Sequence, residues 1–114
     1  MRPAPSVLAL AAVEGSAVER VARRRGLRVP VVRLLVNLAG ADNGGQGARL
    51  YRLDMHPTNA RREFGRAKAL GLAVREPGTQ RGAVALTVTG RALVNEVERE
   101  IVKAARTLST GRKP

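Results

Sequence analysis

Residues 65–90, GRAKALGLAVREPGTQRGAVALTVTG, change their hydrophobic period twice in one short stretch, and few folds accommodate that order. Leading into it, Ala60, Phe64, Ala67 and Leu70 recur at intervals of three or four, the apolar face of a helix, and Gly71 stands where a left-handed residue would end it. Residues 72–76 are short and largely apolar. Pro77 and Gly78 break them, and 83–88 form a second β-prone run in which Val84, Leu86 and Val88 alternate. The pattern predicts a helix, a hairpin with a polar tip over 75–81, and a second helix start.

Upstream, residues 5–25 carry apolar side chains at Val7, Leu8, Leu10, Ala11, Val18, Val21 and Ala22, compatible with a long helix that Gly15 weakens and Gly26 ends. A second helix is expected to start near Pro30, a residue suited to a first turn, with Val31, Leu34, Leu35 and Leu38 inward. Residues 40–47, GADNGGQG, read as a loop. Residues 48–53 are expected to be a short helix, 54–56 a turn, and Pro57 the opening of a helix over 57–70. Helix, turn, helix and hairpin is the order of a DNA reader whose second helix enters the major groove with its N-terminal residues against base edges. His56, Pro57, Thr58, Asn59, Arg61, Arg62 and Arg66 lie off the apolar face of that helix or at its start. Their amide, hydroxyl and guanidinium groups can pair with adenine, guanine and phosphate. The same residues would equally decorate a solvated face.

Charge selects the class of partner. The chain of 114 residues holds 21 basic and 9 acidic residues, a formal charge of +12, and most of the bases are arginine. Arginine's planar fork suits phosphate and guanine, which makes nucleic acid the first partner to consider. An anionic membrane is the rival, but the basic residues are spread over several elements and no apolar run approaches the roughly 20 residues of a span. With no cysteine there is neither a disulfide framework nor a Cys-ligated metal site, so no metal and no cofactor is expected and cytoplasmic, nucleoid-associated placement is the default. The run at 7–13 faintly resembles a secretion signal, but Glu14 closes it early.

On particular residues, 26–107 resemble the MarR family of winged-helix transcription regulators. Gly26-Leu27-Arg28-Val29-Pro30 with Val32-Arg33-Leu34-Leu35 resembles the approach to that family's reading motif, and 69–76, ALGLAVRE, resembles its exit. Arg81 with 83–93, AVALTVTGRAL, resembles the second wing strand and the Leu-Thr-x-x-Gly turn into the next helix, the most specific of these matches. The resemblance implies a mainly α fold with a small β-hairpin wing (α+β), a winged helix-turn-helix with flanking terminal dimerisation helices. It implies one domain over 1–108, with an N-terminal helix at 1–26, a core at 27–90 and a C-terminal helix at 91–108, then a basic flexible tail at 109–114. Residues 57–70 become the recognition helix and 72–88 the wing, with Arg75, Thr79, Gln80 and Arg81 toward the minor groove. Arg28, Arg33, Arg49 and Arg52 are possible phosphate contacts. Gln80, Asp54, Leu50 and His56 depart from the family pattern. His56 stands where Ser or Thr would cap the helix, and Gly65 costs the helix about 1 kcal/mol relative to Ala.

The C-terminal helix is amphipathic, with Leu93, Val94, Val97, Ile101, Ala104, Ala105 and Leu108 on one stripe. The first helix could cover that stripe within one chain. By resemblance, Val7, Leu8, Leu10, Leu93, Val97, Ile101 and Leu108 would form a dimer layer, setting two reading helices roughly 34 Å apart on an inverted repeat. A dimeric repressor is the expected function. The alternatives are a winged-helix protein of plasmid partition, replication or phage control, and an RNA-associated basic protein, which the scarcity of aromatics disfavours. One histidine, no cysteine and no converging carboxylates make an enzyme a poor reading. The resemblance implies release by a ligand held between the dimer layer and the reading heads; Tyr51 and Phe64, the only aromatics, do not indicate a pocket for phenolic ligands, and the effector is unknown.

Overall fold

A computed structural model describes residues 7–42, 47–75 and 82–110. It is mainly helical, with one small antiparallel sheet: α1 (Val7–Arg25), α2 (Val29–Ala41), β1 (Ala48–Arg49), a 3₁₀ turn (Leu50–Arg52), α3 (Pro57–Ala69), β2 (Ala73–Arg75), β3 (Ala83–Leu86) and α4 (Val88–Thr110).

The core lies where α2 meets the other helices. Val31, Val32, Leu34, Leu35 and Leu38 of α2 are buried against Val18, Val21 and Ala22 of α1, Phe64 and Ala67 of α3, Val84 of β3 and Leu93, Val94 and Val97 of α4. Val32 therefore joins the inward set that periodicity assigned to α2. The helix ends follow local chemistry. Gly26, at φ +67, lets Leu27 N donate to Ala22 O at 2.8 Å, closing α1. Gly71, at φ +75, does the same for α3, with Leu72 N to Ala67 O at 2.9 Å. Leu70, expected inward, is instead the exposed C-terminal cap. Gly40 lies within α2, whose cap is Asp42.

The sheet runs β1-β3-β2, with Ala48 opposite Val84 and Ala73 opposite Leu86. The short helix expected over 48–53 is thus divided into a two-residue strand and one 3₁₀ turn, because pairing to β3 satisfies the backbone of Ala48 and Arg49. The second hairpin strand ends at Leu86, earlier than its alternation implied. Thr87 leaves the sheet to cap α4: its Oγ1 accepts from Gly90 N at 3.0 Å and donates to Gly71 O at 2.6 Å. Val88 is consequently exposed at the start of a helix. That helix begins before 91 and continues through Thr110, so Ser109 and Thr110 belong to it and not to a tail.

Leu93 and Val97, expected in a dimer layer, are buried in the core of the single chain, and Ile101 packs partly buried against it. Of the α4 stripe, Leu93, Val94 and Val97 are buried, on a helix that packs against α1 and α2. The side chains of Val7, Leu8, Leu10 and Leu108 lie outside the described ones.

Candidate nucleic-acid interface

The N-terminal half of α3 presents an exposed polar surface beside the sheet. Ala60, Phe64 and Ala67 turn inward, which leaves Pro57, Thr58, Asn59, Arg61 and Arg62 exposed. His56 caps the helix as its Nδ1 accepts from Thr58 N at 3.2 Å, the contact a Ser or Thr cap commonly makes. The positive end of the helix dipole adds to the side-chain charge there.

Two grooves flank this helix start. One, of about 320 Å³, is lined by Arg49, Leu50, Tyr51, Pro57, Arg61, Arg75 and Gly82, so β1, the 3₁₀ turn, α3 and β2 each contribute. The Arg75 guanidinium is fixed over the Phe64 ring, 5.3 Å from its centroid. Arg49 Nε is buried with no hydrogen-bond partner among the described residues. Among the described residues none of Arg49, Arg61 and Arg75 pairs with a carboxylate. The local field is visible at Tyr51, whose hydroxyl is held below its ordinary value by a hydrogen bond from Arg52 above all, with the charges of Arg49 and Arg52 adding to it. Arg52 itself is exposed beside this groove.

The second groove, about 310 Å³, lies toward the start of α2 and is lined by Arg28, Pro30, Arg33, Met55, His56, Asn59, Arg62 and Glu63. Arg28 and Arg33 are exposed. Arg62 Nη2 donates to Asn59 Oδ1 at 2.7 Å and its Nε lies 3.4 Å from Glu63 Oε2, which also accepts from Arg66 Nη1 at 3.0 Å. The structure thus brings the anticipated residues of 56–66 together with Arg28 and Arg33 on one side and Arg49 and Arg75 on the other. Thr79, Gln80 and Arg81 lie outside the described residues.

Sequence reasoning passed over Glu63, 1% exposed and the only acid in α3. Its position three residues before Arg66 and next to Arg62 was the available signal. It also passed over Tyr51 as part of a basic groove.

The basic end of α1 is different. Arg25 donates to Glu96 Oε1 from Nε at 2.9 Å and Nη2 at 2.7 Å, while Arg24 binds both Glu96 and Glu100, and Arg20 lies 3.6 Å from Glu100. Two carboxylates of α4 thus engage three arginines of α1, which makes Arg20, Arg24 and Arg25 poorer phosphate ligands than an unpaired arginine. Burial pushes the Glu96 carboxyl up, but the hydrogen bonds of Arg25 and Arg24 together outweigh it and hold it low; the hydrogen bond from Arg24 holds Glu100 low. Around α3, Arg49, Arg61 and Arg75 have no carboxylate partner among the described residues, whereas Arg20, Arg24 and Arg25 of α1 are paired to α4; Arg23 of α1 and Arg99, Lys103 and Arg106 of α4 are exposed and likewise stand outside these ion pairs.

Among the described residues no helix is long and apolar enough to cross a membrane. No protein-family model matches the chain, and comparison with curated proteins returns no significant match.

Proposed function

We propose that the chain is a sequence-specific, double-stranded DNA-binding transcriptional regulator of the MarR-like winged-helix type, a dimer that represses by occupying an inverted repeat. The carrying observation is the convergence of Arg49, Arg61 and Arg75, without carboxylate partners among the described residues, on one groove beside the exposed start of α3. Such a trio of guanidiniums suits a phosphodiester backbone, while Thr58, Asn59 and Arg62 on the neighbouring turns offer the donors and acceptors that base edges require. The sheet order β1-β3-β2 beside α3 supports a wing formed by β2 and β3. Arg81, by family resemblance, would reach the minor groove from its tip. With Leu93 and Val97 committed to the core, the dimer contact falls to the outer faces of α1 and α4, where Val102 is exposed.

Footprinting of the tagged protein across the genome of its native host, with Arg62→Ala as control, tests this. A few promoter-proximal inverted repeats lost in the variant are expected. Tandem arrays near an origin would move the protein to partition or replication, and preference for RNA competitor would reject duplex DNA altogether.

A further inference from the structure

We propose that Glu63 is a positioning residue for DNA recognition, a buried anionic anchor that fixes the guanidiniums of Arg62 and Arg66 in the geometry that reads bases. The inference rests on α3 being the reading helix. At about 100° per residue, Asn59, Arg62 and Arg66 fall within about 60° of one another on a helix, so they share one flank. Glu63 lies on the adjoining inward stripe with Ala60, Phe64 and Ala67, and is buried. One of its oxygens, Oε2, serves both arginines, and Asn59 Oδ1 braces Arg62 from the other side.

A carboxylate in that position does not repay its burial in stability. Its second oxygen, Oε1, is buried without a hydrogen-bond partner, and both arginine side chains remain about half exposed, 52% for Arg62 and 40% for Arg66, so they would be solvated without it. Desolvating a charge commonly costs as much as a pair of this kind returns. What the arrangement does supply is geometry. An arginine reads guanine only when its fork is held in the plane of the base edge, and two long side chains free in solvent lose rotamer entropy on being fixed there. Held by Glu63, they have lost much of it before DNA arrives. Glu63 also removes one unit of positive field from the interface, which weakens attraction to any duplex irrespective of sequence. The residue therefore trades affinity for discrimination, and the two effects have opposite signs in one variant.

The test compares wild type with Glu63→Gln on a footprinted site and on random duplex of equal length at one salt concentration, with melting temperatures alongside. The expected result is random-duplex affinity raised about two- to threefold and the ratio of specific to random binding lowered about tenfold, with an unchanged melting temperature. A purely structural role would weaken both duplexes together, and that outcome, or an unchanged ratio, overturns the inference. Wild type that fails to discriminate between the duplexes overturns the DNA-reading function itself, and the positioning role with it. If Glu63→Gln does not fold, side-chain NMR of free wild type decides: rotation about the Nε–Cζ bond slower at Arg62 and Arg66 than at Arg61 supports the anchor, and equal rates overturn it.

Discussion

Arg25 holds Glu96 by two hydrogen bonds to the same oxygen, Oε1, across 71 residues of sequence, fastening the last turn of α1 to the middle of α4. Arg24 binds the other oxygen and reaches Glu100 one turn on. Both carboxyls titrate below the ordinary glutamate value of 4.5 in the folded chain, so on acidification the unfolded state takes up protons first. The stability these contacts provide is complete above that value and is lost as pH falls through the lower folded values. Glu96→Gln is expected to flatten the acid limb of a melting-temperature profile below about pH 4.5 and, since the arginines are half exposed, to cost about 1 kcal/mol at neutral pH. A wild-type profile with no acid limb would contradict this.

Gly90 and Thr87 explain the Leu-Thr-x-x-Gly turn in physical terms. A Cβ on Gly90 would lie 2.0 Å from Leu72 O, the same carbonyl that accepts from Thr87 N at 3.1 Å, so backbone meets backbone with no side chain to give way. Gly90→Ala is expected to cost about 3 kcal/mol, and Thr87→Val about 1 kcal/mol through loss of the cap. Gly15 and Gly65 are the controls. An added Cβ at either meets nothing within 4 Å, and neither has positive φ, so alanine there is expected to stabilise by about 1 kcal/mol in denaturant titration.

Helices α1 to α4 and the stops at Gly26 and Gly71 were legible because their signals are local: apolar spacing, a proline in the first turn, a glycine at positive φ. β1 was not. Two residues, Ala48 and Arg49, are too few to alternate, and they are a strand only because β3 lies beside them. Val88 was assigned to a strand because alternation does not register a threonine turning back to cap a helix. The site divides the same way. The outward residues of α3 followed from its periodicity, whereas the pairing of Arg24 and Arg25 depends on partners about 70 residues away that no spacing rule connects. Glu63 was overlooked because on composition an acid in a basic helix counts against binding. Its pairing with Arg62 and Arg66 is local to α3, but its burial depends on what packs against the helix.

Leu93 and Val97 bear on the proposed dimer. Both are buried within one chain, so truncating them creates cavities in the monomer. Leu93→Ala is expected to cost about 3 kcal/mol, with a denaturation midpoint that shifts equally at micromolar and tenfold higher protein concentrations. Val102, 51% exposed on α4, is the contrasting position: Val102→Asp is expected to leave the monomer's stability unchanged within about 0.5 kcal/mol and to weaken self-association in sedimentation equilibrium. A Leu93→Ala shift, relative to wild type, that differed between the two concentrations would return that residue to the interface.

Arg75 and Arg62 separate positioning from reading. Arg75, stacked over Phe64 beside Arg49 and Arg61, places its charge in a groove whose described lining residues offer no side-chain amide, and no hydroxyl other than that of Tyr51. A phosphate contact there neutralises one charge. Arg75→Ala is therefore expected to weaken specific and random duplexes by the same factor and to reduce the slope of log affinity against log salt by about 1. Arg62, held by Asn59 and Glu63, is expected to behave oppositely: Arg62→Ala should lower affinity for the specific site about tenfold beyond its effect on random duplex. Equal losses on both duplexes for Arg62→Ala would reject α3 as the reading helix. Equal salt slopes for wild type and Arg75→Ala would instead remove the groove from the phosphate path and leave the reading helix standing, because the two variants probe different elements of the same surface.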